Sequence, residues 1–126
     1  MMKLPKWKGL LANFPDKDAD VVFTEIGGKV KFNFDIGVFN NACAVGVSKA
    51  LNGSGLPHAV PYYTVKGPSG KAEVQVSSGG LKNWYIFRVK ILIKYLTEKY
   101  GEPKKLSPSD YKRWLKGKKG IIIFEA

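Results

Sequence analysis

The sequence holds one cysteine, Cys43, and one histidine, His58, and these two residues bound the chemistry it can do. Cys43 lies in Asn40-Asn41-Ala42-Cys43-Ala44-Val45-Gly46-Val47-Ser48-Lys49-Ala50-Leu51-Asn52. Asn40 or Asn41 can cap a helix by accepting a hydrogen bond from a backbone N–H of its first turn. Cys43 then falls in that first turn, where the positive end of the helix dipole favours a thiolate. Val47, Ala50 and Leu51 follow at helical spacing, so one face can bury while the sulfur stays at the mouth. A nucleophilic cysteine is one reading. A small buried structural cysteine is the other.

His58 sits in Gly55-Leu56-Pro57-His58-Ala59-Val60-Pro61, which two prolines make stiff and extended. A loop folded back over the helix start would bring His58 to the thiol as a base, and a surface histidine without that role is the competing reading. Asn41 is read first as a cap and second as a substrate ligand. Tyr63 and Trp84 can line a groove or pack in the core. One cysteine and one histidine are too few for a Cys/His zinc site, so neither metal nor cofactor is expected. A lone cysteine also excludes a disulfide within these residues.

The elements that must position these groups are short. The 126 residues suffice for a single domain with a core. Pro5 opens a helix along which Trp7, Leu10, Leu11 and Phe14 recur, and Asp20 caps a second, Val21 to Ile26, stopped by Gly27-Gly28. Lys29 to Phe39 reads as a loop, and the cysteine helix runs from about Ala42 to Leu51. Tyr62, Tyr63 and Val65 can form a short strand, Glu73–Val76 alternates weakly as a strand would, and Trp84–Arg88 reads as a short aromatic run entering a helix. The strongest periodicity follows, with Val89, Leu92, Ile93, Leu96 and Tyr100 on one face, ended by Gly101 and Pro103. Ser107-Pro108-Ser109-Asp110 reads as a cap, a first-turn proline and an acid, for a helix to Leu115. Ile121 to Phe124 reads as a buried strand, paired with an earlier segment or with a second copy of the chain.

Lys plus Arg number 21 against 10 Asp plus Glu, a net charge of +11. That excess suits an anionic polymer such as bacterial cell wall, nucleic acid or an acidic membrane surface. The densest basic cluster runs from Lys112 to Lys119. No apolar run is long enough to span a membrane. The N-terminus has charge without the apolar core of a signal peptide, so export is expected through a machine that reads no cleaved signal.

The ordered pieces resemble a known family, the fourth family of type VI secretion amidase effectors. They are Ile26-Gly27-Gly28-Lys29-Val30, Phe39-Asn40-Asn41-Ala42-Cys43-Ala44-Val45 with Ser48, Leu51 and Asn52, Gly55-Leu56-Pro57, Trp84-Tyr85-Ile86-Phe87-Arg88-Val89, Ile93-Lys94-Tyr95-Leu96 and Gly117-Lys118-Lys119-Gly120-Ile121-Ile122-Ile123-Phe124. The resemblance implies an α+β, NlpC/papain-like cysteine peptidase fold, with a cysteine helix packed on an antiparallel sheet and Cys43 as nucleophile. It implies cleavage of the D-glutamate to meso-diaminopimelate bond of the peptidoglycan stem peptide. The implied partners are peptidoglycan, a cognate immunity protein and the type VI secretion machinery. The implied route leads from the bacterial cytoplasm to the target cell's periplasm.

Two departures from the family pattern stand out. Gly46 replaces the arginine usual three residues after the nucleophile. The family's later strands, with a Gly-His motif and an orienting acid, have no counterpart here, and His58 matches no catalytic histidine of the pattern. The expectation is an amidase domain incomplete at its C-terminus, truncated or inactive. The alternatives are a catalytically dead module that binds wall or partner, and, ranked last, a basic nucleic-acid-binding module.

Overall fold

The computed structural model describes residues 2–15, 17–37, 42–80, 83–107 and 109–123. Its elements in chain order are α1 (Trp7–Asn13), α2 (Ala19–Ile26), α3 (Gly28–Asp35), α4 (Cys43–Gly53), β1 (Thr64–Lys66), β2 (Ala72–Val74), β3 (Val76–Ser78), β4 (Trp84–Ile86), α5 (Val89–Tyr100) and α6 (Tyr111–Leu115).

Helix α4 is the axis of the fold. Ala44, Val45, Gly46, Val47, Ser48, Ala50 and Leu51 are all buried, so the helix is covered nearly all round and not on one face alone. Small residues permit this. Phe14 and Pro15, at the end of α1, lie over Gly46, where an added Cβ would stand 3.5 Å from Pro15 Cγ. On another side α4 packs against β4 and α5.

Among the described residues, the four strands form two antiparallel pairs and not one sheet. β1 pairs with β2 in the register Thr64 to Val74 and Lys66 to Ala72. β3 pairs with β4 in the register Val76 to Ile86 and Ser78 to Trp84. Gln75 divides the run read as one strand. Its N–H turns to the Tyr63 carbonyl at 2.9 Å while its neighbours join different pairs.

Two apolar clusters result. The larger joins Leu10, Val47, Ala50, Leu51, Val60, Val76, Ile86, Leu92 and Tyr95. The smaller joins Val22, Phe23, Ile26, Val30, Val45 and Tyr85, with Ala42 and Phe87 against it, and so supports the first turn of α4.

Several expectations are corrected. Residues 29–35, read as part of a loop, and Gly28, read as a helix stop, form helix α3. Tertiary contacts make it: Val30 is fully buried, the Phe34 ring stacks on Phe23 at 4.5 Å, and Lys31 pairs with Asp35 one turn on. Gly28 is what admits the helix there. Its φ is +59°, and a Cβ would meet the Gly79 carbonyl carbon at 2.6 Å, so only glycine lets α3 start against the β3–β4 turn.

The α5 face is centred on Leu92 and Tyr95, flanked by Val89, Ile91, Leu96 and Tyr100, so Tyr95 and not Ile93 holds its middle. The N-cap position of α4 is Ala42; Asn40 and Asn41, read as caps, lie outside the described residues. α6 starts at Tyr111 with Asp110 at its N-cap position, and Ser107 O accepts the N–H groups of both Asp110 and Tyr111; Pro108 lies outside the described residues.

Ile121–Ile123 joins no strand pair among the described residues. Ile121 and Ile123 pack on the larger cluster and Ile122 faces solvent, so burial of alternate side chains, and not strand pairing, holds the segment. Phe124 lies outside the described residues. Among the described residues, no helix is long and apolar enough to cross a membrane.

Candidate active site

Cys43 is the first residue of α4 and is exposed, while Ala44, next to it, is buried. The helical ladder begins with the Gly46 N–H bonded to Ala42 O at 2.7 Å. The N–H groups of the first turn therefore precede the ladder, and they and the dipole place positive potential at the sulfur's end of the helix. Such donors can also take the negative oxygen of a tetrahedral intermediate.

Two polar side chains one turn apart fix α4 to β4. Ser48 is fully buried. Its Oγ donates to Ala44 O at 2.9 Å and accepts the Ile86 N–H at 2.9 Å. Asn52 Nδ2 donates to Trp84 O at 2.8 Å, and its Oδ1 accepts the Val60 N–H at 2.7 Å. Without them the Ile86 amide, deep in the core, would have no partner in place of water. The pairing also orients the strand. Trp84 lies beside Asn52 and Ile86 beside Ser48, so β4 runs toward the Cys43 end of α4.

Phe87 and Arg88 continue in that direction. The Arg88 guanidinium lies 4.5 Å from the Phe87 ring centre, and its Nη1 donates to Gln75 Oε1 at 3.0 Å. The sequence reading grouped these residues with the aromatic run and assigned them no place near the cysteine. Arg88 directly after a short aromatic strand was the available signal, since an arginine that ends such a run has its stem held against rings.

The structure does not bring His58 to Cys43. His58 lies beyond the other end of α4, in a shallow hollow with Gly53, Ser54, Pro5, Lys6 and Gly9. Its N–H bonds Gly55 O at 2.8 Å, and its Nδ1 shares a hydrogen bond of 2.9 Å with the Tyr100 hydroxyl. The eleven residues from Cys43 to Gly53 set the two ends about 15 Å apart along the helix.

Tyr63 is also away from the thiol, with its hydroxyl on Glu98 and its ring edge-on to Tyr95. Burial first, and then the Glu98 carboxylate, push the Tyr63 phenol well above its ordinary range. Trp84 is half-buried and meets Tyr62 edge to face at 5.1 Å, at the Asn52 end of α4. Asn41 lies outside the described residues. The groups that share Cys43's end of the helix are thus Ala42, Val45 and the continuation of β4. Among the described residues, no three His, Cys, Asp or Glu side chains are grouped to hold a metal ion.

The sequence matches, over residues 39–126, the family described as Type VI secretion system (T6SS), amidase effector protein 4, abbreviated Tae4. None of the curated proteins compared matches. Among solved structures, the Tae4 effector of Salmonella typhimurium, in complex with the immunity protein Tai4 from Enterobacter cloacae, is 32% identical with a TM-score of 0.63. That match covers 81% of this chain and 59% of the other. The type VI effector Tae4 of Enterobacter cloacae is 31% identical with a TM-score of 0.63, covering 82% of this chain and 62% of its own. A Tae4–Tai4 effector–immunity complex from Enterobacter cloacae is 33% identical, with a TM-score of 0.58 over 75% of this chain and 54% of that one. The 126 residues thus span about three fifths of these relatives' length.

Proposed function

The chain belongs to the Tae4 family of type VI secretion amidase effectors, and from that premise we propose that it acts on bacterial cell wall through Cys43. Its fold is the family's NlpC/papain-like α+β arrangement, with the cysteine helix α4 against antiparallel strands. The observation that carries the reading is the exposed Cys43 at the first position of a helix whose remainder is buried and pinned to β4. A thiol so placed is reachable from solvent yet fixed in direction.

In the proposed reaction the Cys43 thiolate attacks the carbonyl carbon of the D-glutamate to meso-diaminopimelate amide. A C–S bond forms and the carbonyl electrons move to oxygen, facing the first-turn N–H groups of α4. The intermediate collapses, the C–N bond breaks, and the amine leaves with a proton. Water then hydrolyses the thioester and restores the thiol. The leaving amine needs a proton from an acid, and the water that attacks the thioester needs a base, roles that one residue can take in turn. His58 was the sequence's candidate, but its place beyond the far end of α4 speaks against that role. Hydrolysis then rests on a base from outside these 126 residues or proceeds slowly on the thiolate alone.

The place of His58 away from Cys43 favours a second reading, a wall-binding protein without turnover. The relatives' pairing with Tai4 supports a cognate immunity protein as partner, and the family's secretion route supports delivery to the periplasm of a target cell. Digestion of purified muropeptides, followed by chromatography and mass analysis, separates the readings. A slow appearance of the muramyl-L-alanyl-D-glutamate fragment supports the amidase, and salt-sensitive binding with no product supports the binding protein.

A further inference from the structure

The segment from Lys104 to Lys119 carries seven basic residues, Lys104, Lys105, Lys112, Arg113, Lys116, Lys118 and Lys119, all exposed. The acids nearby are Glu102 and Asp110, and Asp110 is already paired with Arg113 at 3.0 Å. Repulsion should spread such a set, yet Trp114 on α6 gathers part of it. Lys104, before the helix, and Lys118, after it, both place Nζ over the Trp114 ring, 5.3 Å and 4.4 Å from its centre. The two ammonium groups are therefore no further apart than the sum of those distances, about one Debye length at 0.1 M salt. Cation–π attraction offsets their repulsion and holds three chain segments as one basic surface.

We propose that this surface docks the carboxylate-bearing peptidoglycan polymer at a site separate from Cys43. The proposal rests on the wall-directed reading above and adds where the wall is held. Lys119 and Gly120 share a hollow with Pro5 and Leu10, and Pro5 in turn borders Gly53 and Ser54, at the end of α4 away from the thiol. One surface grips the polymer while the other end of α4 presents Cys43 to a stem peptide.

The chemistry favours this occupant over other anions. A membrane would need apolar side chains to insert, but Tyr111 and Leu115 of α6 are half-buried and the Trp114 ring carries two ammonium groups. Single-stranded nucleic acid would use Trp114 as a stacking platform, and the same two ammonium groups stand over it. A flexible chain with spaced carboxylates needs neither insertion nor stacking, only cations within a screening length of one another.

The test is co-sedimentation of the full 126-residue chain with insoluble peptidoglycan, for wild type and for the triple variant Lys112→Glu, Lys116→Glu, Lys119→Glu. All three lysines are exposed, and an unchanged melting temperature shows that the variant is folded. The expected result is wild-type binding that weakens steeply between about 50 and 500 mM salt, and a variant weaker by roughly tenfold or more at low salt. Trp114→Leu, which releases Lys104 and Lys118, should weaken binding by about threefold. Equal binding by the triple variant overturns the proposal. So does tighter binding of wild type to vesicles of about one-third anionic lipid or to single-stranded DNA. Cleavage of soluble muropeptides is followed in parallel. Cleavage without sedimentation removes the docking site and leaves the amidase, whereas sedimentation without cleavage removes the amidase and leaves the docking site.

Discussion

Replacing Ser48 by alanine probes the joint between the cysteine helix and the strand beside it. The Ser48 Oγ accepts the Ile86 N–H at 2.9 Å, and both residues are fully buried. Deleting the hydroxyl leaves that amide without an acceptor in a place water does not reach, which costs about 2 kcal/mol. The hydroxyl's own donor bond to Ala44 O needs no replacement, because that carbonyl is already in the helical ladder. Alanine is the better helix former, which returns roughly 0.5 kcal/mol. The net expectation is a loss of about 1.5 kcal/mol, or a melting temperature lower by roughly 5 °C for a chain of this size. The assay is thermal and urea unfolding followed by tryptophan fluorescence. Ser54→Ala is the control, since Ser54 Oγ bonds only Ala50 O within its own helix and half in solvent, and it should change stability by less than about 0.5 kcal/mol. If Ser48→Ala is as stable as that control, the bridge to Ile86 does not hold α4, and the argument for how Cys43 is positioned fails.

Gly46→Ala should be neutral or stabilising by up to about 1 kcal/mol, because its Cβ would make ordinary contact with Pro15, while Gly46→Arg should destabilise by displacing Phe14 and Pro15. Gly28→Ala should lower stability by about 2 kcal/mol or more in urea unfolding, since the new Cβ strikes Gly79 backbone at a positive φ. Burial pushes the Tyr95 and Tyr100 phenols up to about 12, so they hold protons that the unfolded chain releases near its ordinary value. Their contribution to stability is present below about pH 10 and is lost as pH rises toward 12, which absorbance of tyrosinate and alkaline unfolding should show together. His58→Ala should leave the rate of iodoacetamide alkylation at Cys43 unchanged, because the two residues lie at opposite ends of α4; a marked drop would contradict that placement.

What the sequence disclosed and what it withheld divide along physical lines. The start of α4 at Cys43 and the extent of α5 were legible, because both rest on local spacing and stop signals. Helix α3 was not. Its Gly27-Gly28 opening looks like a terminator, and what makes it helical is Val30 and Phe34 packing on α2, a contact between segments. The isoleucine run looked like a strand because β-branched residues favour one, yet a strand also needs a partner, and Ile121–Ile123 has none among the described residues. Ser48 and Asn52 carry the joint to β4 but look unremarkable inside a helical pattern, since their partners are backbone atoms 38 and 32 residues away. The distance from His58 to Cys43 depends on which way the loop leaves α4, and nothing in the spacing of the two residues encodes that. For Gly46, the residues over it, Phe14 and Pro15, follow α1, and such a contact between two segments is encoded in the spacing of neither.

The central claim is that Cys43 is a nucleophile toward the stem-peptide amide. It is tested most directly by incubating the chain with purified muropeptide and measuring both the intact protein mass and the released fragments, for wild type and Cys43→Ala. The expected result is a slow, cysteine-dependent release of the diaminopimelate-bearing fragment, together with wild-type protein heavier by the muramyl-L-alanyl-D-glutamyl group and no such adduct on Cys43→Ala. Release at the same rate from Cys43→Ala, or no fragment and no adduct from wild type, would contradict it.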